Sequence, residues 1–151
     1  MDINKFKLIE LRKRSNRNGA FNIRTKIILN SKSIKKMQGK FDRLLIDAPC
    51  SGLGVLKRNP DSKWKMSAEF ISKIRKLQSE LLRSYSSLLN KKGRLVYATC
   101  SILPSENEVQ IKNFLDSNEG KLFSLEDEKK ISPSSGFDGF YMARLALKPT
   151  C

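Results

Sequence analysis

Two cysteines come directly after stretches that have the composition of buried β-strands. Asp47 and Cys50 follow the apolar run at residues 44–46, and Cys100 lies near the end of a second such stretch, residues 93–101. In open α/β sheets, the loops just past the carboxyl ends of the strands are where ligands and reactive groups collect. Taken alone, either cysteine is more often a small buried hydrophobe. Two thiols and a carboxylate at one sheet edge are nevertheless our candidate functional centre.

The helices that would position this centre are predicted from hydrophobic periodicity and capping residues. A basic amphipathic helix is predicted over residues 4–18. The strongest pattern covers residues 67–90, with Ser67 as its N-cap, and the Lys-Lys-Gly sequence after it predicts where that helix ends. Ser105 and Glu108 have the spacing of a capping box, which predicts a further helix to about residue 116.

Strands are predicted where short apolar or β-branched runs are bounded by turn residues. They cover residues 22–29, 41–47, 94–98, 121–125 and 140–147. Residues 30–40 and 132–139 are predicted to be irregular connections. The order of elements indicates an α/β fold with helices on both faces of a mostly parallel sheet, and the last two strands predict an antiparallel edge.

The composition limits the class of protein. A chain of 151 residues that is 39% hydrophobic is expected to form one packed domain. No segment approaches the roughly 18 consecutive apolar residues of a membrane span, and the N-terminus has no signal-peptide pattern. Three cysteines without a CxxC motif, in a chain without histidine, indicate no metal site and a reduced, cytoplasmic setting.

The charge is high and unevenly distributed. The formal net charge is +15; residues 1–95 carry 24 Lys/Arg against 7 Asp/Glu, whereas residues 96–151 carry 6 against 8. A basic surface of this size attracts polyanions, because phosphate contacts release condensed counterions. Nucleic-acid binding and an ordinary lysine-rich surface are equally compatible with the charge alone.

Five short motifs follow one another in a recognisable order along nearly the whole chain. They are DAPCSG at residues 47–52, RNPDSKW at 58–64, TCS at 99–101, PSENE at 104–108 and FDGFYMARL at 137–145. In this order the chain resembles the RNA cytosine-5 methyltransferases of the RsmB/NSUN type. That resemblance implies a Rossmann-like class I methyltransferase sheet with S-adenosylmethionine as the cofactor. It also implies that the partner is an RNA, either rRNA or tRNA.

The resemblance also implies a role for each residue of the centre. Cys100 of the TCS motif corresponds to the nucleophile, which attacks carbon 6 of cytosine so that carbon 5 becomes reactive. Cys50 corresponds to the thiol that resolves the adduct after methylation. Asp47 would bind the polar edge of the base and border the cofactor. Asp2 would bind the ribose of the cofactor or, alternatively, only favour the start of the first helix.

Basic and aromatic residues in the loop after the first cysteine are candidate RNA contacts. An aromatic ring flanked by cations next to a nucleotide pocket is typical of base and phosphate binding, and the alternative is a set of ordinary solvated charges. The candidate RNA-binding residues are Lys57, Arg58, Lys63 and Trp64.

The cofactor site is expected to be incomplete. In the family a glycine-rich loop should lie about twenty residues before Asp2, so the first two strands of the sheet are expected to be missing. Residues 1–151 are therefore interpreted as a partial S-adenosylmethionine-dependent catalytic domain, and a second chain that supplies the N-terminal half is a candidate partner.

Two alternatives remain at this point. The chain is either the reaction centre of a methyltransferase or a non-catalytic basic RNA-binding module derived from the same fold. A DNA cytosine methyltransferase would use the proline-cysteine thiol as its nucleophile, and the TCS and RNPDSKW motifs argue against that class.

Overall fold

The computed structural model describes residues 1–149, apart from the side chains of Ser31 and Lys65. The predicted domain 1–151 therefore ends two residues beyond the described part. The chain divides into two compact units, the first covering Met1–Met37 and the second beginning at Gln38.

The first unit contains helices α1 (Lys5–Arg17) and α2 (Ser31–Lys35). The helix predicted over residues 4–18 is confirmed; the side chain of Asn4 caps it by accepting from the amides of Phe6 and Lys7. Its predicted apolar stripe is exposed, and the Phe6 side chain is 78% accessible.

The strand predicted over residues 22–29 is wrong. Only Ile27 forms a β-bridge there, in parallel with Asp2. A strand needs a continuous partner to satisfy its amides and carbonyls. Among the described residues, Asp2 alone forms a β-bridge to this segment, so a strand does not form.

The second unit is built on a four-stranded sheet with the order β1-β2-β4-β3. The strands are β1 (Phe41–Asp47), β2 (Leu89–Thr99), β3 (Phe123–Ile131) and β4 (Phe140–Leu147). β1 and β2 are parallel, whereas β4 runs antiparallel to both β2 and β3. The α/β class and the antiparallel edge are confirmed. The prediction of a mostly parallel sheet is wrong for this unit, because two of its three strand pairings are antiparallel.

Helices α3 (Ala68–Ser86) and α4 (Glu108–Leu115) complete the second unit. Leu82 of α3 and Phe114 of α4 pack in one core with the side chains of Tyr97, Tyr141 and other buried strand residues. The other face of the sheet carries exposed residues such as Leu45, whose side chain is 66% accessible. Within this unit, one face of the sheet holds the core.

The predicted end of the long helix is also wrong. α3 ends at Ser86, and β2 begins at Leu89, so the Lys-Lys-Gly sequence lies in the strand rather than after the helix. Leu88 and Leu89 are buried, and the Phe41 amide donates to the Leu88 carbonyl. Pairing with β1 therefore ends the helix four residues before the predicted boundary.

The predicted capping box does not form. α4 begins at Glu108, and Ser105 lies in a 3₁₀ turn (Pro104–Glu106). Glu108 instead pairs with Lys130 of β3 at 2.5 Å. Between these two positions, Glu106 and Asn107 are buried and directed toward the loops of the two cysteines. Tertiary contacts thus replace the local capping bonds.

Candidate active site

The two cysteines of the candidate centre lie in contact. Cys50 Sγ and Cys100 Sγ are 3.2 Å apart, and both are free thiols that are partly buried. The parallel pairing of β1 with β2 brings them together: Asp47 lies opposite Ala98, and the Ala48 amide donates to the Ala98 carbonyl at 2.9 Å. The prediction that the two thiols lie together at the ends of adjacent strands is confirmed.

The contact differentiates the two thiols. A hydrogen bond from Cys50 lowers the pKa of Cys100 from 9.0 to about 7, although partial burial opposes this change. The same hydrogen bond, together with burial, raises the pKa of Cys50 well above its ordinary value. Cys100 is therefore the thiol that ionises at the lower pH and Cys50 the one that keeps its proton, and a thiolate is the nucleophilic form of cysteine.

Two acidic groups near Cys100 partly oppose the lowering of its pKa. The carboxylates of Asp47 and Glu106 each act to raise the pKa of Cys100. Asp47 is exposed at the end of β1. The structure thus brings Asp47, Cys50 and Cys100 together, as the sequence predicted.

The loops that carry the cysteines are connected to each other by backbone and hydroxyl contacts. The Gly54 amide donates to the Cys100 carbonyl at 2.9 Å, and the Gly139 amide donates to the Gly54 carbonyl at 2.7 Å. Ser51 Oγ and Ser101 Oγ, each one residue after a cysteine, lie 3.1 Å apart. Three loops therefore meet at the site, from residues 48–59, 100–103 and 132–139.

The candidate RNA-binding residues lie on the surface of the first of these loops. Lys57, Arg58 and Lys63 are exposed, and Trp64 is 79% accessible in a 3₁₀ helix (Pro60–Lys65). The Lys63 ammonium lies 4.8 Å from the centre of the Trp64 ring. Arg58 forms an ion pair with Asp138, which connects this loop to the loop before β4.

Asp2 belongs to the first unit. Its backbone forms the bridge to Ile27, and its Oδ1 accepts from the Asn4 amide at 2.8 Å. Because Asn4 is the N-cap, Asp2 precedes α1 and does not lie in its first turn. Its predicted role toward a cofactor ribose stays a prediction.

A sequence profile described as "16S rRNA methyltransferase RsmB/F" matches residues 1–146 of the chain. The match covers both units and every motif that forms the site. The chain belongs to the RsmB/F methyltransferase family.

Curated relatives agree with membership of the RsmB/F family. The chain is 49% identical over 115 residues to "Ribosomal RNA small subunit methyltransferase B" of Photorhabdus laumondii, a match that covers 72% of this chain and 27% of that protein. It is 41% identical over 123 residues to the protein of the same name from Pasteurella multocida, covering 76% and 28%. The chain thus spans about a quarter of the length of these relatives.

Solved structures show the same fold. The protein PH0851 superposes with a TM-score of 0.88 at 30% sequence identity, covering 96% of this chain and 35% of that one. NSun6 from Pyrococcus horikoshii, solved with SFG, has a TM-score of 0.83 at 23% identity and covers 98% and 40%. The fold is therefore that of class I methyltransferases, of which this chain holds a partial sheet.

Sequence reasoning missed the buried polar residues of this RsmB/F site. Gln78 lies on the apolar face of α3, in register with Ile74 and Leu82, and it is fully buried. A glutamine within an apolar stripe was the signal that could have revealed it, because buried polar side chains need partners. Glu106 and Asn107 belong to the PSENE motif, but the sequence assigns neither of them a role in the site.

Neither a metal site nor a membrane span is found in the part of the chain that the structure describes. Among residues 1–149, no group of three or more His, Cys, Asp or Glu side chains could hold a metal ion. The helices described there are too short or too polar to cross a membrane.

Proposed function

We propose that this chain carries the reaction centre of an RNA (cytosine-5)-methyltransferase that uses S-adenosylmethionine. One observation carries the proposal: two thiols lie 3.2 Å apart at the ends of adjacent parallel strands, and the lowered pKa of Cys100 supports it as the thiol that ionises first. Membership of the RsmB/F family and the names of the curated relatives support rRNA as the substrate. Such a protein would act in the cytoplasm.

Cys100 is the nucleophile in the proposed reaction. Its thiolate forms a bond to carbon 6 of the cytosine, and the electron pair of the 5,6 double bond moves toward carbon 5 and the ring, which makes carbon 5 nucleophilic. Asp47, at the mouth of the site, accepts a hydrogen bond from the cytosine amino group and orients the base.

Cys50 acts after methylation. While Cys100 is a thiolate, its hydrogen bond keeps Cys50 protonated. Once Cys100 is bound to carbon 6 as a thioether, the main cause of the high Cys50 pKa is removed, and Cys50 can lose its proton to solvent. Its thiolate then takes the proton from carbon 5, and the electron pair of that C–H bond expels Cys100 as a thiolate.

S-adenosylmethionine, when bound, would supply the methyl group. The described residues fit the reacting end of its site only, since Asp47 borders the thiols and the sequence contains no GxGxxG pattern. We propose that polypeptide outside this chain supplies the remainder, either within a longer protein or as a second chain.

Exposed Lys57, Arg58, Lys63 and Trp64 are proposed to bind the RNA. Their loop begins at the Cys50 strand end, and the open Trp64 ring offers a stacking surface for an unpaired base. The same basic loop is what favours the second candidate function, a non-catalytic RNA-binding module.

Covalent trapping on RNA that contains 5-fluorocytosine tests the proposal. With S-adenosylmethionine and the upstream part of the catalytic domain supplied, we expect the wild type to form an adduct that survives denaturing electrophoresis. Cys100→Ser should lose the adduct, whereas Cys50→Ser should keep or accumulate it. Fluorine at carbon 5 blocks the proton removal, so the adduct cannot resolve.

The controls separate catalysis from binding. Calorimetric titration of the isolated chain with S-adenosylmethionine should show no micromolar binding, because the cofactor cradle lies outside it. If neither the wild type nor Cys50→Ser traps RNA when the upstream part is present, while both still bind RNA, the binding-module function is correct instead.

A further inference from the structure

A fully buried carboxylate contacts the loop of Cys50. Glu106 is 0% exposed, and its Oε2 accepts from the Ser51 amide at 2.8 Å. Gln78, also 0% exposed, donates to the same oxygen at 3.1 Å and to the Pro49 carbonyl at 2.9 Å. The two residues that flank Cys50 are therefore both held by this network.

The next residue along the chain contacts the loop of Cys100. Asn107 Oδ1 accepts from Thr99 Oγ1 at 2.6 Å, and Asn107 Nδ2 donates to the Ser101 carbonyl at 2.9 Å. Thr99 and Ser101 flank Cys100 directly. Each cysteine is thus held on both sides, one through Glu106 and the other through Asn107.

The segment that carries both residues is itself anchored. The Tyr97 hydroxyl donates to the Glu106 carbonyl at 2.8 Å, from the strand that leads to Cys100. Two consecutive residues with a fixed backbone cannot move apart. The two cysteine loops are therefore both attached to one short segment whose backbone is held in place.

This arrangement is unfavourable for stability alone. Glu106 Oε1 and Gln78 Oε1 are buried without a hydrogen-bond partner among the described residues. Leaving a buried polar atom unpaired costs about 1–3 kcal/mol, more for a charged group, and an apolar side chain in the same place would avoid that cost. The presence of the buried Glu106–Gln78 network despite this cost indicates that it holds the cysteine loops in a defined geometry.

We propose that Glu106 and Asn107 are positioning residues that together set the distance between the two reactive thiols. The proposal rests on the proposed function for the identity of the reacting groups. The geometry it describes can be measured without RNA or cofactor.

The test is the pH profile of Cys100 alkylation by iodoacetamide in the full 151-residue chain, resolved by peptide mass spectrometry. The ionisable groups that face Cys100 are Cys50, Asp47 and Glu106. In the wild type the rate should reach half its maximum near pH 7, since the Cys100 pKa is about 7.

Glu106→Ala and Glu106→Gln should move this midpoint differently. Glu106→Ala removes a negative charge that raises the Cys100 pKa, but it also releases the Cys50 loop and weakens the Cys50–Cys100 bond, which is the larger influence. The midpoint should therefore rise by about one pH unit, which slows alkylation at pH 7 about fivefold. Glu106→Gln keeps an acceptor for the Ser51 amide and removes a negative charge that raises the Cys100 pKa. Its midpoint should stay the same or fall.

Matched variants keep the proposal falsifiable if Glu106→Ala does not fold. Thr99→Val and Gln78→Leu each remove one side of the network and should raise the midpoint. Gln110→Ala is the control, because buried Gln110 donates to the Arg75 and Ser105 carbonyls and holds neither cysteine loop. Folding of each variant is followed by circular dichroism.

The outcomes distinguish this proposal from the proposed function. Unchanged midpoints in folded Thr99→Val and Gln78→Leu, or equal shifts in Gln110→Ala, would overturn the positioning role. If the midpoints shift as expected but the wild type traps no RNA, the positioning role stands and the methyltransferase function fails.

Discussion

Two thiols in hydrogen-bond contact share their protons unequally at the residue scale. Cys50 donates to Cys100, which lowers the pKa of Cys100 and raises that of Cys50, while burial disfavours the charged form of both thiols. The pair therefore holds one thiol that ionises readily and one that keeps its proton. Histidine, the usual base beside a catalytic cysteine, does not occur in this chain.

Removal of Cys50 should make Cys100 less acidic. In Cys50→Ala, the largest cause of the low pKa is gone, and the pKa of Cys100 should rise from about 7 toward its ordinary value of 9.0. The thiolate fraction at pH 7 then falls by up to about 50-fold, so the midpoint of Cys100 alkylation should move to higher pH. In the reciprocal Cys100→Ala, the pKa of Cys50 should fall toward its ordinary value, because its bond to Cys100, the largest cause of the raised pKa, is gone; a midpoint unchanged in Cys50→Ala would contradict the assigned hydrogen bond.

At the scale of elements, the site depends on how closely its loops approach one another. Gly54 lies where three loops meet, and a Cβ built on it would come 2.1 Å from the Gly139 carbonyl oxygen and 2.8 Å from the Cys100 carbonyl oxygen. Both of these atoms belong to the backbone and cannot rotate away. Glycine is required at this position by space, not by its backbone angles.

Gly54→Ala should therefore destabilise the fold and displace the Cys100 loop. We expect a loss of about 3 kcal/mol in the free energy of unfolding, at the upper end of overpacking effects, measured by urea denaturation. Gly136→Ala is the matched control: its φ is +85° but nothing lies within 4 Å of its Cβ position, so backbone strain alone should cost about 1 kcal/mol. Equal losses in the two variants would show that the close approach is unimportant.

At the scale of the whole molecule, the charge is concentrated away from the last third of the chain. The net charge of +15 arises from residues 1–95, which include the proposed RNA-binding loop. Cys100, Glu106 and Asn107, in contrast, come from residues 96–151, which carry 6 Lys/Arg against 8 Asp/Glu. The basic surface is suited to attract RNA without discriminating between bases, whereas the partly buried site of the two thiols is suited to select a base.

RNA affinity should fall with salt and respond differently to two neighbouring substitutions. Lys63→Ala should reduce the slope of log affinity against log salt by about 0.7, the value for one phosphate contact on a single strand. Trp64→Ala should weaken binding by about 1–3 kcal/mol with little change in slope, because stacking is lost. Filter binding across a salt series measures both.

Lys73→Ala is the control for that series, since Lys73 is exposed but already paired with Glu69 at 2.6 Å. Its slope should stay close to that of the wild type. If Lys63→Ala and Lys73→Ala change the slope equally, the loop after Cys50 is not a specific RNA contact.

The sequence by itself determined the fold class and the place of the two thiols at strand ends, and its bounds for the last strand agree with β4. These features depend on local patterns of apolar residues and turn residues. Tertiary structure alone decided where α3 gives way to β2, why residues 22–29 do not form a strand, and which side chains hold the cysteines. The Ser51–Glu106 and Gln78–Glu106 bonds join residues 55 and 28 positions apart. The apolar stripe of α3 can mark Gln78 as a buried polar residue, but its partner Glu106 is selected by three-dimensional packing and could not be identified from neighbouring residues.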